Sequence, residues 1–113
     1  MESPLYLALQ EFTVKAQADK TVVKMLRDWD RMIHIEATDG DSYTLSVADR
    51  RVTVLEGLHA ERDIALVAPS ATLTGVFTGA LNPAREFAAG RLKFVGSNKD
   101  EMKLDAIVQL IWG

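Results

Sequence analysis

Between Gly75 and Gly96 the sequence leaves the backbone few choices. Gly79 suits the position just past a helix end, where a left-handed residue without a Cβ is favoured. Asn82-Pro83 reads as an N-cap followed by the first helical residue. The Asn side chain accepts an orphan amide hydrogen, and proline has none to waste there. Gly90 closes that short helix, and Arg91–Val95 alternates as a strand ending at Gly96. Leu92 and Phe94 fall on one face of it, Arg91 and Lys93 on the other. A helix end, a whole helix and a strand are thus fixed in one short stretch.

The remaining sequence extends the pattern in both directions. Ser3-Pro4 is a cap and first-position pair, followed by Leu5, Ala8, Leu9 and Phe12 at helical spacing. A second helix is expected from Asp19 to Trp29, with Val22, Met25, Leu26 and Trp29 along one side. The period then drops to two. Ile33, Ile35 and Ala37 alternate with His34, Glu36 and Thr38, and Asp39-Gly40-Asp41 supplies a hairpin turn with positive φ. Strands follow at Tyr43–Val47, at Val52 and Val54, and at Ile64–Ala68, with Ala48-Asp49-Arg50 as the second turn. Pro69-Ser70 caps a helix bearing Leu73, Val76 and Phe77, and a last helix starts from Ser97. Such segregated strands and helices predict an α+β fold. Its five-stranded, mainly antiparallel sheet is covered on one face by about five helices.

Length and composition narrow the function. A chain of 113 residues is one domain, 1–113, with a core of its own. Without cysteine it has neither disulfides nor thiolate metal sites, which fits a reducing compartment. A net charge of −3 argues against nucleic acid, and against more than transient contact with an anionic membrane surface. No window approaches the roughly 20 apolar residues of a membrane span. The start, Met1-Glu2-Ser3-Pro4, lacks a basic leader, and Leu110-Ile111-Trp112-Gly113 is not a peroxisomal address. The expectation is a cytoplasmic protein, of prokaryotic origin.

Groups for catalysis are sparse. His34 is expected on the outer face of its strand and His59 in a loop, both exposed and inert. The close pairs Asp28/Asp30 and Asp39/Asp41 are accounted for by turns and helix ends. No nucleophile elbow or phosphate loop appears. The sequence therefore reads as non-enzymatic, with no cofactor and no metal. Periodicity alone leaves the apolar residues open between a packed core and the wall of a ligand cavity, since both demand an inward apolar face.

The ordered string Phe77-Thr-Gly79, Leu81-Asn-Pro83, Phe87-Ala-Ala-Gly90-Arg-Leu-Lys93 and Gly96, followed by Met102-Lys-Leu104, resembles the sterol carrier protein 2 lipid-binding domain. The resemblance is specific over residues 64–104 and follows only the order of elements before that. It implies an apolar tunnel between sheet and helices, with the C-terminal helix over one mouth. Carried onto this chain, it makes Leu73, Phe77, Leu81, Phe87 and Phe94 wall residues. Met102, Ile107, Ile111 and Trp112 become lid residues, and Met25 and Trp29 close the far end. Asp105 stands where relatives often have a Gln that meets the ligand's polar end; a carboxylate there would repel a fatty-acid head. The helix start Ser97-Asn-Lys-Asp-Glu101 is more polar than in relatives, which suits an N-cap or narrows the mouth. The implied function is binding, and transfer, of a fatty-acyl, isoprenoid or sterol-like lipid. The alternatives are an accessory or oligomerisation domain, including a homodimer, beside a lipid- or quinone-related enzyme, and, far behind, a carboxylate-pair hydrolase.

Overall fold

The computed structural model of the chain describes residues 3–112. Met1, Glu2 and Gly113, on which the expectations about a leader and a C-terminal address partly rest, lie outside them. The elements follow in the order α1 (Pro4–Ala18), α2 (Lys20–Met25), β1 (Arg31–Ala37), β2 (Tyr43–Ala48) and β3 (Arg51–Glu56). After these come β4 (Ile64–Ala68), α3 (Ser70–Thr78), α4 (Pro83–Ala88), β5 (Lys93–Val95) and α5 (Asn98–Trp112). The sheet runs β3-β2-β1-β4-β5. Hairpins join β1 to β2 and β2 to β3, β4 lies parallel to β1, and β5 returns antiparallel to β4. The expected α+β architecture is therefore present, as a mixed sheet with five helices.

Sequence periodicity explains most of the core. Leu5, Ala8, Leu9, Phe12 and Ala16 face inward from α1, with the 3.6-residue period of one helix face. Ser3 caps this helix, its hydroxyl accepting the Tyr6 amide at 3.1 Å. From the sheet come Ile33, Ile35, Leu45, Val47, Ile64 and Leu66, and from α3 come Leu73, Val76 and Phe77. Phe12 and Phe77 meet edge to face at the centre, their centroids 5.0 Å apart. Such a contact adds about 0.5–1.5 kcal/mol to the burial of the two rings.

The structure corrects four local expectations. The second helix stops at Met25 and not at Trp29, because Leu26 to Trp29 turn sharply through Asp28, whose φ is +56°. The turn after β1 is not a positive-φ Asp-Gly turn. Asp39 instead reaches across to α3 and accepts the Ser70 amide at 2.7 Å, replacing the missing side-chain cap at Pro69. That bond from the Ser70 amide, with help from the Ser70 hydroxyl, lowers the Asp39 carboxyl below its ordinary range. Positive φ appears at Asp49 (+51°) and Arg50 (+64°) in the β2–β3 turn.

The last two corrections concern His34 and the fifth strand. His34 does sit on the outer face of β1, but it is only 8% exposed, because residues 57–60 fold over it. Its Nε2 donates to the His59 carbonyl at 2.7 Å, and the Thr44 hydroxyl donates to the Gly57 carbonyl and accepts the His59 amide. The fifth strand is shorter than expected. The amides of Arg91 and Leu92 donate to the Glu86 carbonyl at the end of α4, which removes them from the ladder.

Candidate functional site

Helix α5 packs on α1, α2 and α3, and its two ends are held differently. At its start, Ser97 accepts the Asp100 amide at 3.1 Å, the expected cap. The Asp100 carboxylate turns inward, only 8% of the residue exposed. There it accepts the Trp29 indole N–H at 2.8 Å and the Arg31 Nε–H at 3.1 Å. Burial pushes its carboxyl up, but the bonds from Trp29 and Arg31 outweigh it and hold the group below the usual range. Arg31 and Lys103 lie over the Trp29 ring, 5.4 and 5.3 Å from its centroid. At the far end, Trp112 covers Gly79, where a Cβ would come within 2.8 Å of it. Lys15 lies 5.0 Å from the same ring.

Helix α4 faces the outer side of α5. Asn82 caps it by accepting the Arg85 amide at 3.2 Å. Near its end Glu86, almost fully buried, accepts the Arg91 Nε–H on both oxygens at 3.0 and 3.1 Å. The Arg91 hydrogen bonds hold the Glu86 carboxyl low against the opposing effect of burial. This pair ties the α4–β5 connection down and leaves a cleft between α4 and α5.

Two adjoining cavities occupy that cleft, with Pro83 on the wall of each. The first, about 120 Å³, is lined by Phe87, Leu92, Phe94, Met102, Glu101 and Asp105, together with Pro83 and Ala84. Phe87 and Met102 at its edge are 47% and 72% exposed. The second, about 470 Å³, is more polar, with Leu81 and Trp112 beside Arg85, Glu86, Arg91 and Gln109. Among the described residues, two buried side-chain polar atoms lack a hydrogen-bond partner. They are Asp105 Oδ1 and Trp112 Nε1, and those residues line the first and the second cavity respectively.

The residues assigned to a lipid site from sequence are thus divided. Phe87, Phe94, Met102 and Asp105 converge on the smaller cavity, and Leu81 and Trp112 on the larger. Leu73, Phe77 and Ile107 are buried in the core, and Ile111 packs half-buried against it. Met25 also leans on the core, while Trp29 is committed to Asp100. The middle of the molecule, where the resemblance implies a tunnel, is occupied by Leu9, Phe12, Leu73 and Phe77. Sequence reasoning missed Asp100, Glu86 and Arg91. Asp100 had a signal, its position three residues after Ser97, but that spacing also describes an ordinary solvated helix start. No cluster of three or more His, Asp or Glu that suits a metal forms among the described residues. None of the helices is long and apolar enough to cross a membrane.

The same arrangement of elements occurs in known proteins. A family model described as the SCP-2 sterol transfer family matches residues 9–109. No curated protein matches the chain. Among solved structures, sterol carrier protein domain 2 of Helicoverpa armigera superimposes with a TM-score of 0.82 at 14% identity, covering 97% of this chain and 89% of that one. A UbiJ-SCP2 ubiquinone synthesis protein gives 0.75 at 13% identity, covering 95% and 94%. Palmitated SCP2L2 from Aedes aegypti gives 0.62 at 12% identity, covering 89% and 90%. At such identities these likenesses concern the fold.

Proposed function

Because the chain belongs to the SCP-2 sterol transfer family, we propose that it is a non-catalytic carrier of a hydrophobic ligand, admitted through the α4–α5 cleft. The observation that carries this reading is the exposure of Phe87 and Met102 at the edge of an apolar cavity. Exposed apolar groups around a concave site mark a surface that is covered when a partner or ligand binds. At about 120 Å³ the cavity is smaller than the roughly 150 Å³ that accommodates benzene. Loading a long chain therefore requires α4 and α5 to part. Each buried methylene contributes about 0.8 kcal/mol, so ten contribute about 8 kcal/mol before ordering costs. That gross figure corresponds to a dissociation constant on the order of 1 μM. A fatty-acyl or isoprenoid chain fits this range, and a cysteine-free sequence suits a carrier in the cytoplasm. The Aedes aegypti relative in its palmitated form supports an acyl ligand by analogy.

Native mass spectrometry of the purified protein, followed by lipid extraction, tests the proposal. A stoichiometric lipid is the expected result. In parallel, titration with a fluorescent fatty-acyl probe should be weakened about tenfold by Phe87→Ala or Met102→Ala, about 1.4 kcal/mol each. Because both side chains are exposed, either change should move stability by no more than about 0.5 kcal/mol. Probe binding that is unaffected by both would refute the cleft as the entrance.

A second reading, an accessory domain beside a lipid- or quinone-related enzyme, draws on two observations. One is the fold shared with the UbiJ-SCP2 ubiquinone synthesis protein. The other is Leu7 and Val14, exposed seven residues apart on one side of α1. A bare protein that takes up no acyl probe would favour that reading over the carrier.

A further inference from the structure

We infer that the α4–α5 cavity selects an amphiphile whose polar end donates hydrogen bonds, a hydroxyl or an ammonium, and rejects a carboxylate of the same chain length. The inference builds on the carrier reading above and names the chemical class of its ligand. Asp105 lines this cavity, and its Oδ1 is buried without a donor. A buried acceptor left unmatched is costly, and a ligand that supplies a donor recovers that cost on binding. Glu101 lines the same cavity one helical turn earlier, so two acids four residues apart on α5 face it together. No basic side chain shares the lining. Of the basic residues nearby in sequence, Arg91 is engaged on Glu86 and Lys103 lies over the Trp29 ring. The remaining walls, Pro83, Phe87, Leu92, Phe94 and Met102, offer an acyl-type chain only apolar contact. A ligand carboxylate brought into this site would meet two charges of its own sign. An ammonium meets two of opposite sign, and a hydroxyl meets at least one acceptor without any desolvated charge of its own.

The test is isothermal titration with three probes of one chain length, dodecylamine, dodecanol and dodecanoic acid, each below its micelle concentration and at neutral pH. The wild-type protein is expected to bind the amine and the alcohol about tenfold or more tighter than the acid, the worth of one hydrogen bond to a charged group. Asp105→Asn should narrow that preference, and Glu101→Gln should narrow it more for the amine, which loses an attraction while the acid loses a repulsion, than for the alcohol. Thermal melts of both variants establish that they are folded, and the wild-type ranking stands independently of either. If the acid binds as tightly as the others, the head-group inference fails while the carrier reading survives. A preference unchanged in both variants likewise refutes the role of these acids. If none of the three probes binds, the carrier reading fails and this inference with it.

Discussion

Gly75→Ala offers a sharp test of the packing at the edge of the cleft, because two opposed effects meet at one atom. In an exposed helix interior the change would stabilise by about 0.8–1 kcal/mol through helix propensity. Gly75 is buried on α3, and a Cβ built there lies 2.5 Å from Leu81 Cδ1 and 2.6 Å from Cγ. Carbon atoms prefer separations of about 3.5–4.0 Å, so Leu81 must leave its position entirely. Its backbone cannot follow easily, since the Leu81 amide donates to the Gly75 carbonyl at 3.0 Å. Overpacking of this kind costs about 2–3 kcal/mol, and losing the half-burial of Leu81 is part of that figure. Propensity loses, and the net destabilisation is about 1–2 kcal/mol. With an unfolding entropy near 2.1 cal/mol/K per residue over 113 residues, about 1.5 kcal/mol lowers Tm by about 6 °C. Differential scanning calorimetry reads this directly. The control is Leu81→Ala, which leaves a single carbon 3.3 Å from the new Cβ. In that background Gly75→Ala should change stability by between zero and about +1 kcal/mol, giving a coupling of about 2 kcal/mol. A single variant that melts at or above the wild type, or a double variant whose losses simply add, would refute the reasoning.

Two further outcomes follow from local geometry. Asp100→Ala removes the acceptor of the Trp29 indole and of Arg31, and should cost about 2–3 kcal/mol in urea denaturation. The folded Asp100 carboxyl is held below its ordinary value, so its contribution is complete above the unfolded pKa near 3.9 and disappears as pH falls through the lower folded one. Melting curves between about pH 2 and pH 6 should therefore be less steep for Asp100→Ala than for wild type on the acid side; parallel curves would contradict this. In the β2–β3 turn, replacing Asp49-Arg50 by Asn-Gly should raise stability by about 0.5–1 kcal/mol, because both positions hold positive φ. A lower Tm would show that the Arg50 and Asp49 side chains matter more than their backbone.

Elements announced by short-range chemistry were legible in the sequence, and those decided by distant partners were not. Asn82-Pro83, Gly79 and Gly90 punctuate α3 and α4 where they were read, because caps and left-handed residues act within a few positions. The alternation at Ile33–Ala37 and Tyr43–Val47 placed two strands and their inward faces. His34 was misread because alternation gives the face of the sheet, not what lies over that face. At Asp100 the sequence shows only an acid suited to a helix start, since its partners Trp29 and Arg31 are 71 and 69 residues away. The positive φ values at Asp49 and Arg50 carry no glycine to signal them. Of the candidate site, type and spacing leave Phe87 and Met102 open between core and cavity wall. Only the position of α4 relative to α5 brings them to the surface.

The bond between Trp29 and Asp100 gives α5 a pivot. A helix fixed near its first turn and covering Gly79 with its last residue works as a lever, about 18 Å long from Asp100 to Trp112 at 1.5 Å per residue. Rotating it by about 10° around the fixed end carries Trp112 through about 3 Å, close to the depth of one methylene layer, while Asp100 hardly moves. Small angular play at a well-tethered origin is thus magnified at the tip. The carboxylate that fastens the origin is held below its ordinary range, so this fastening is lost only as pH falls through that lowered value.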